Sequence, residues 1–242
     1  MRDGDFRVRG KEISRVEGLS DAVFGFAITL LVVSLEVPHT STELLHAMRG
    51  FGAFAVTFGI LFSIWRTQFT FFRRYGIEDN VTVGLTAVLL FVVLFFIYPL
   101  KFIMGFLVDL VTNSMDPATA RALFPKADRP PLQIAFGLGF SAVFGVFALM
   151  YRHAYQLRDR LKLDALELLD TREAIRATST ASALGLAIAL SYLVGMIAPT
   201  IRVAAEWVGT GCVFLIAAVQ IRARLSHKTR RESARGIGRE AL

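Results

Sequence analysis

The sequence predicts an all-α integral membrane protein with six transmembrane helices and both termini in the cytoplasm. Three observations carry that expectation. Hydrophobic residues make up 54% of the 242, and the mean hydropathy is +0.53, a balance that belongs to membrane chains. Six apolar segments, near 17–36, 50–72, 82–106, 132–155, 178–198 and 201–222, reach the roughly 20 residues a helix needs to cross the hydrocarbon core. Cationic residues also alternate between loops. They crowd the N-terminal segment (Arg2, Arg7, Arg9, Lys11, Arg15), the loop with Arg73 and Arg74, the stretch 152–177 and the tail 222–239, whereas the intervening loops hold few. Cation-rich loops are the cytoplasmic ones, and an even number of spans places both termini on one side.

The elements follow in order. The first span is not a cleavable signal peptide, because its apolar run is too long and no small-residue cleavage pattern follows it. A short outer loop, 37–49, carries Pro38, His39 and His46, and leads to the second span. The third span ends in loop 111–131, whose Pro117, Pro125, Pro130 and Pro131 predict irregular backbone. After the fourth span, the stretch 152–177 mixes cations with Asp159, Asp164, Glu167, Asp170 and Glu173 among recurring leucines. It reads as a helical extension of the fourth span, solvated on its charged side. Only Ala198-Pro199-Thr200 separates the fifth and sixth spans, a break suited to a tight helical hairpin. Residues 1–225 thus read as one six-helix membrane domain with no internal duplication, and 226–242 as a basic, disordered cytoplasmic tail.

The net charge of +7 is accounted for by loop topology, so no nucleic-acid partner is expected; the lipid bilayer is the surface these loops suit. Cys212 is the single cysteine, which excludes an intrachain disulfide. No metal-ligand spacing, phosphate loop or nucleophile elbow is present, so neither an enzyme nor a resident cofactor is expected. Small residues recur every four positions in the fourth span (Gly137, Ser141, Gly145) and every three in the fifth (Ser179, Ser182, Gly185). Such spacings let membrane helices approach closely.

The first span carries the unusual chemistry. Ser20 and Asp21 enter its first turns, and Thr29 stands among aliphatics; ionisable groups at such depth are costly and are retained for a reason. At about 100° per residue, Leu19, Ala22, Phe26, Thr29 and Val33 form one stripe. Asp21 falls about 140° from Phe26, and Ser20 about 120° away on the other side. The pair therefore points toward neighbouring helices. Asp21 needs donors there, and Arg15, the Trp65 indole and Arg66 are the candidates. Alternatively, Ser20 is an N-cap with Asp21 near the positive end of the helix dipole. Spacing alone favours helix packing for the stripe, with the Thr29 hydroxyl bonded to a carbonyl one turn earlier.

The run from Arg15 through Leu19-Ser20-Asp21, then Phe24-Gly25-Phe26-Ala27-Ile28-Thr29-Leu30-Leu31, resembles the first-helix signature of bacterial homologues of the transmembrane protein 175 potassium channels. Trp65 and Tyr98-Pro99 extend the resemblance. It implies a potassium-selective leak channel in the bacterial inner membrane. It also implies a homotetramer whose first helices line the pore, passing potassium ions without a carbonyl-lined filter. By the same resemblance, Phe26 takes the place of the constriction residue and Thr29 that of a polar pore layer, flanked along the stripe by Ala22 and Val33. Arg15, Leu19, Ser20, Asp21 and Trp65 correspond to an interhelical network. The chain departs from the family pattern in Leu19 for Phe, in Phe26 for Ile or Leu, and in Gln68-Phe69 where a histidine pair often stands. A proton-coupled small-solute transporter using Asp21, and a non-conducting scaffold, are the rival expectations.

Overall fold

The computed structural model describes residues 2–3, 6–33, 40–111 and 129–198. The expected sixth span, Cys212, most of loop 111–131 and the tail 226–242 lie outside the described residues. In chain order the elements are strands β1 (Arg2–Asp3) and β2 (Phe6–Arg7), then helices α1 (Arg15–Val33), α2 (Ser41–Tyr75), α3 (Asn80–Val111), α4 (Arg129–Gln156), α5 (Arg158–Leu161) and α6 (Ala165–Ile197).

Four of these, α1, α3, α4 and α6, are long and apolar enough to cross a membrane. Helix α2 contains the expected second span but starts at Ser41, so residues 41–49 of the expected outer loop are helical. It is less apolar overall, because Arg66, Thr67 and Gln68 interrupt it and Arg73 and Arg74 end it. The helices pack in sequence: α1 against α2 and α3, α2 on α3, α3 on α4, and α4 along α6. One core runs through the stack, with Phe24, Ala27 and Leu31 of α1 buried among Leu61, Ile64, Leu89, Val93 and Phe96.

The α4–α6 contact is built from the small residues singled out in the sequence. A methyl group added at Gly185 would lie 2.8 Å from the Ser141 nitrogen and 2.9 Å from the Gly137 carbonyl oxygen, and one at Gly137 would lie 2.7 Å from the Gly185 oxygen. Ser182 donates to the Ser141 carbonyl at 2.9 Å, a bond made possible by the same close approach. Replacing Gly185 with valine forces two backbones apart. The expected cost is about 1–3 kcal/mol, read as a lower thermal midpoint of the detergent-purified protein.

One expectation is corrected here. The charged stretch 152–177 is not a continuation of the fourth span. Helix α4 stops at Gln156, α5 makes a single turn, and Lys162 adopts a left-handed backbone with φ of 49°. Asp164 then restarts the helix. Its side chain accepts from the Glu167 N–H at 2.9 Å, while Glu167 accepts from the Asp164 N–H at 3.1 Å, a reciprocal capping box. Residues 165–177 thus extend the fifth span, and Glu167 is buried rather than solvated.

Glu167 anchors the N-terminal segment. Arg9 donates to it at 2.6 and 3.2 Å and Arg7 donates its backbone N–H at 2.8 Å. The β1–β2 hairpin, paired Arg2 to Arg7 and Asp3 to Phe6, brings Phe6 into the core. There it meets Tyr75 edge-on at 5.3 Å, with the Arg74 guanidinium 5.0 Å over its ring. Gly76, at φ of +58°, ends α2, as glycine at a helix C-terminus commonly does. A methyl group there would come within 2.9 Å of the Gly10 nitrogen, so glycine also permits the docking of the N-terminal segment. On the same end, Asp79 caps α3 through the Thr82 N–H at 2.9 Å and meets His153 of α4 at 2.6 Å. Burial opposes ionisation of Asp79, but these bonds outweigh it and hold its carboxyl below the usual range.

Candidate functional site

Helix α1 begins at Arg15, and Ser14 caps it by accepting the Glu17 N–H at 3.1 Å. That corrects the N-cap reading of Ser20, which lies a full turn inside the helix. Ser20 is buried and donates to the Val16 carbonyl at 2.7 Å. Its oxygen accepts from Gln68 Nε2 of α2 at 3.1 Å. Asp21 accepts from the indole N–H of Trp65 at 2.7 Å. Ser20 and Asp21 thus clamp α1 to α2 through two adjacent bonds, one turn apart on α2. Of the three donors expected for Asp21 only Trp65 is used; neither Arg15 nor Arg66 bonds to it among the described residues.

Trp65 is itself held in a ladder. Phe51, Phe54, Phe58, Phe62, Trp65 and Phe69 follow one another at spacings of three or four along α2, with successive ring centroids 5.2–6.1 Å apart. The Arg73 guanidinium lies over Phe69 at 5.2 Å. Arg73 also reaches Glu17 at 3.7 Å, a second tie between the first turn of α1 and the last turn of α2.

The stripe lies on the other side of α1. Leu19, Ala22, Phe26, Thr29 and Val33 are all exposed, Phe26 at 57% and Val33 at 72%. Gly18 and Gly25 share the open side, since nothing lies within 4 Å of a methyl group placed on either. The face that packs is the opposite one, Ser20, Phe24, Ala27 and Leu31. The packing expected of the stripe from its spacing therefore does not occur among the described residues. Heptad spacing identifies a seam but not what fills it. Thr29 donates to the Gly25 carbonyl at 3.0 Å, as expected of a hydroxyl in an apolar helix, and its oxygen remains able to accept.

Among the residues assigned to an interhelical network, the structure brings together Ser20, Asp21 and Trp65. Arg15 and Leu19 stand on the exposed side. Gln68, named in the sequence only as a departure from the resembled pattern, is the member that sequence reasoning did not place in the network. Its Oε1 is buried without a hydrogen-bond partner.

A stack of apolar helices, whose first member is pinned by a Ser-Asp pair and turns an apolar stripe outward, defines a multi-pass α-helical membrane protein. The model of the endosomal/lysosomal potassium channel TMEM175 family matches residues 15–96, which span α1, α2 and most of α3. A protein of Marivirga tractuosa described as a potassium channel is 38% identical over 177 residues, 72% of each chain. A solved structure of a variant of the potassium channel MtTMEM175, in complex with a nanobody–MBP fusion protein, superposes with a TM-score of 0.79 at 32% identity. That match covers 93% of this chain and 98% of the other. The chain belongs to the TMEM175 potassium channel family.

Proposed function

We propose that this protein is a potassium-selective leak channel whose pore is lined by α1 from four copies of the chain. The observation that carries the reading is the orientation of α1: its stripe is exposed, while Ser20 is buried against α2 and Asp21, itself exposed, is bonded to Trp65 of α2. An exposed apolar stripe containing one hydroxyl layer is what a narrow, weakly hydrated pore requires of each subunit. In this reading Phe26 forms the hydrophobic constriction. Thr29, one turn further, supplies the polar layer, and Ala22 and Val33 line the pore on either side.

Six spans with both termini in the cytoplasm of a bacterial inner membrane complete the proposal, 201–222 being the sixth. Supporting that orientation, Arg7, Arg9, Arg73, Arg74 and Lys162 gather at one end of the described helices through the bonds of the N-terminal segment, consistent with a single cation-rich side. Membership of a family of potassium channels supports the ion. The bilayer and potassium are then the partners, with no cofactor.

The test is potassium and sodium flux in liposomes holding the purified protein. Wild type should pass potassium above background and in preference to sodium. Thr29→Val should bring the two permeabilities closer, because it deletes the only hydroxyl on the stripe. An unchanged ratio removes Thr29 from the selectivity role.

A further inference from the structure

A cavity of about 550 Å³ opens between α2 and α4, away from the α1 stripe. Its polar wall is Ser63, Arg66, Thr67 and Thr70 of α2 with Tyr151 of α4; Phe147 is part of its apolar wall. Arg66 has no hydrogen-bond or ion-pair partner among the described residues, whereas Arg7, Arg9, Arg73 and Arg172 are all engaged. A guanidinium left without a counter-charge inside a membrane helix is costly, and its five donors suit a phosphate group.

The neighbouring hydroxyls divide by role. Ser63 and Thr67 donate to carbonyls of their own helix, at 2.7 and 2.8 Å, so only their oxygens remain as acceptors. The Thr70 hydroxyl and the Tyr151 phenol bond to no described residue and keep their hydrogens. Arg66, which is exposed, Thr70 and Tyr151 thus line one cavity as a set of free donors, with the Tyr151 ring held against Phe71 at 5.5 Å.

Depth points to the source of the phosphate. Arg66 is nine residues before Tyr75, where α2 ends, and Tyr151 is five before the end of α4 at Gln156. At 1.5 Å per residue these are about 13 and 8 Å from the helix ends, within reach of the headgroup layer for a long cationic side chain. The apolar wall beside the donors suits an acyl chain rather than a free ion.

We propose that this cavity binds the phosphate of an anionic phospholipid, with Arg66 as its counter-charge and Thr70 and Tyr151 as additional donors. The experiment follows thermal unfolding of the full-length, detergent-purified protein. It is titrated separately with phosphatidylglycerol, a phosphate-free neutral galactolipid of matched acyl chains, and sodium phosphate. Ligands that bind only the folded state raise the midpoint. The wild type should be stabilised by phosphatidylglycerol far more than by either control. Arg66→Gln should need roughly tenfold more of it for the same shift, and Arg66→Lys should recover part of the loss. Where Arg66→Gln does not fold, Thr70→Val and Tyr151→Phe take its place, each expected to weaken the response about threefold. An equal response from sodium phosphate alone overturns the lipid source. Identical titrations for wild type and all variants overturn the site. So does an Arg66→Gln variant whose subunits dissociate more readily while its lipid response is unchanged, since Arg66 would then pair across a subunit contact.

Discussion

Phe26→Ala should raise potassium flux through proteoliposomes by roughly tenfold or more over wild type. Phe26 stands on the exposed side of α1 and is 57% exposed. Four such rings around an axis would exclude water from the constriction, and dewetting is then the barrier to ions. Truncation to a methyl group widens and wets the passage. Lowering a barrier by about 1.4 kcal/mol is enough for the tenfold change. Phe26 is more than half exposed, so the variant should stay close to the thermal stability of wild type. If wild type and variant both stay at background, the channel reading gives way to a non-conducting scaffold.

Glu167→Ala should lower stability by about 3 kcal/mol, the scale expected when one member of a buried ion pair is deleted. Glu167 is 1% exposed, and it accepts from Arg9 and from the backbone N–H groups of Arg7 and Asp164. Its loss strands Arg9, removes half of the α6 capping box and frees the segment that carries Phe6. The expected readouts are a lower thermal midpoint and new tryptic cleavage at Arg7 and Arg9. An unchanged midpoint with no new cleavage would show that the N-terminal segment is held elsewhere. Glu167→Gln, which keeps the acceptor oxygen for the capping box, should fall between the two.

The length of the apolar runs located the described helices because it is a direct consequence of the bilayer. A buried backbone must be hydrogen-bonded within the segment, so an apolar run of sufficient length becomes a helix. The separation of Ser20 and Asp21 from the Phe26 stripe was equally legible, since 100° per residue fixes which side chains can share a face. The small-residue spacings of the fourth and fifth spans also translated directly into contact between Gly137, Ser141, Ser182 and Gly185.

The misreadings have physical causes as well. Ser20 resembled an N-cap because Ser14 lies in a polar stretch that blurs where the helix begins. The Ser14-x-x-Glu17 spacing was the cue, matching a capping box in sequence though only the serine half forms. Glu167 was grouped with solvated charges because charge density alone cannot reveal that Arg9, distant in sequence, folds back over it. The Asp164-x-x-Glu167 spacing marked the same restart of a helix that 152–177 concealed. The partner of Asp21 had to be chosen among three donors. Distance along the helix could not separate Trp65 from Arg66, whereas their angular positions on α2 do. Asp21 as a proton carrier loses ground for the same reason. One of its oxygens is held by the Trp65 indole, which suits a fixed bracket better than a group that must load and release a proton.

The central claim, that the exposed stripe of α1 faces the ion path, is tested most directly by thiol block at Phe26. Phe26→Cys in a Cys212→Ser background leaves one thiol per chain, since Cys212 is the only native cysteine. Potassium flux is recorded in liposomes before and after a charged, thiol-specific methanethiosulfonate reagent, with labelling confirmed by mass. Flux that is present before the reagent and abolished after it is the predicted result. Full labelling that leaves the flux unchanged would place Phe26 outside the ion path and contradict the account.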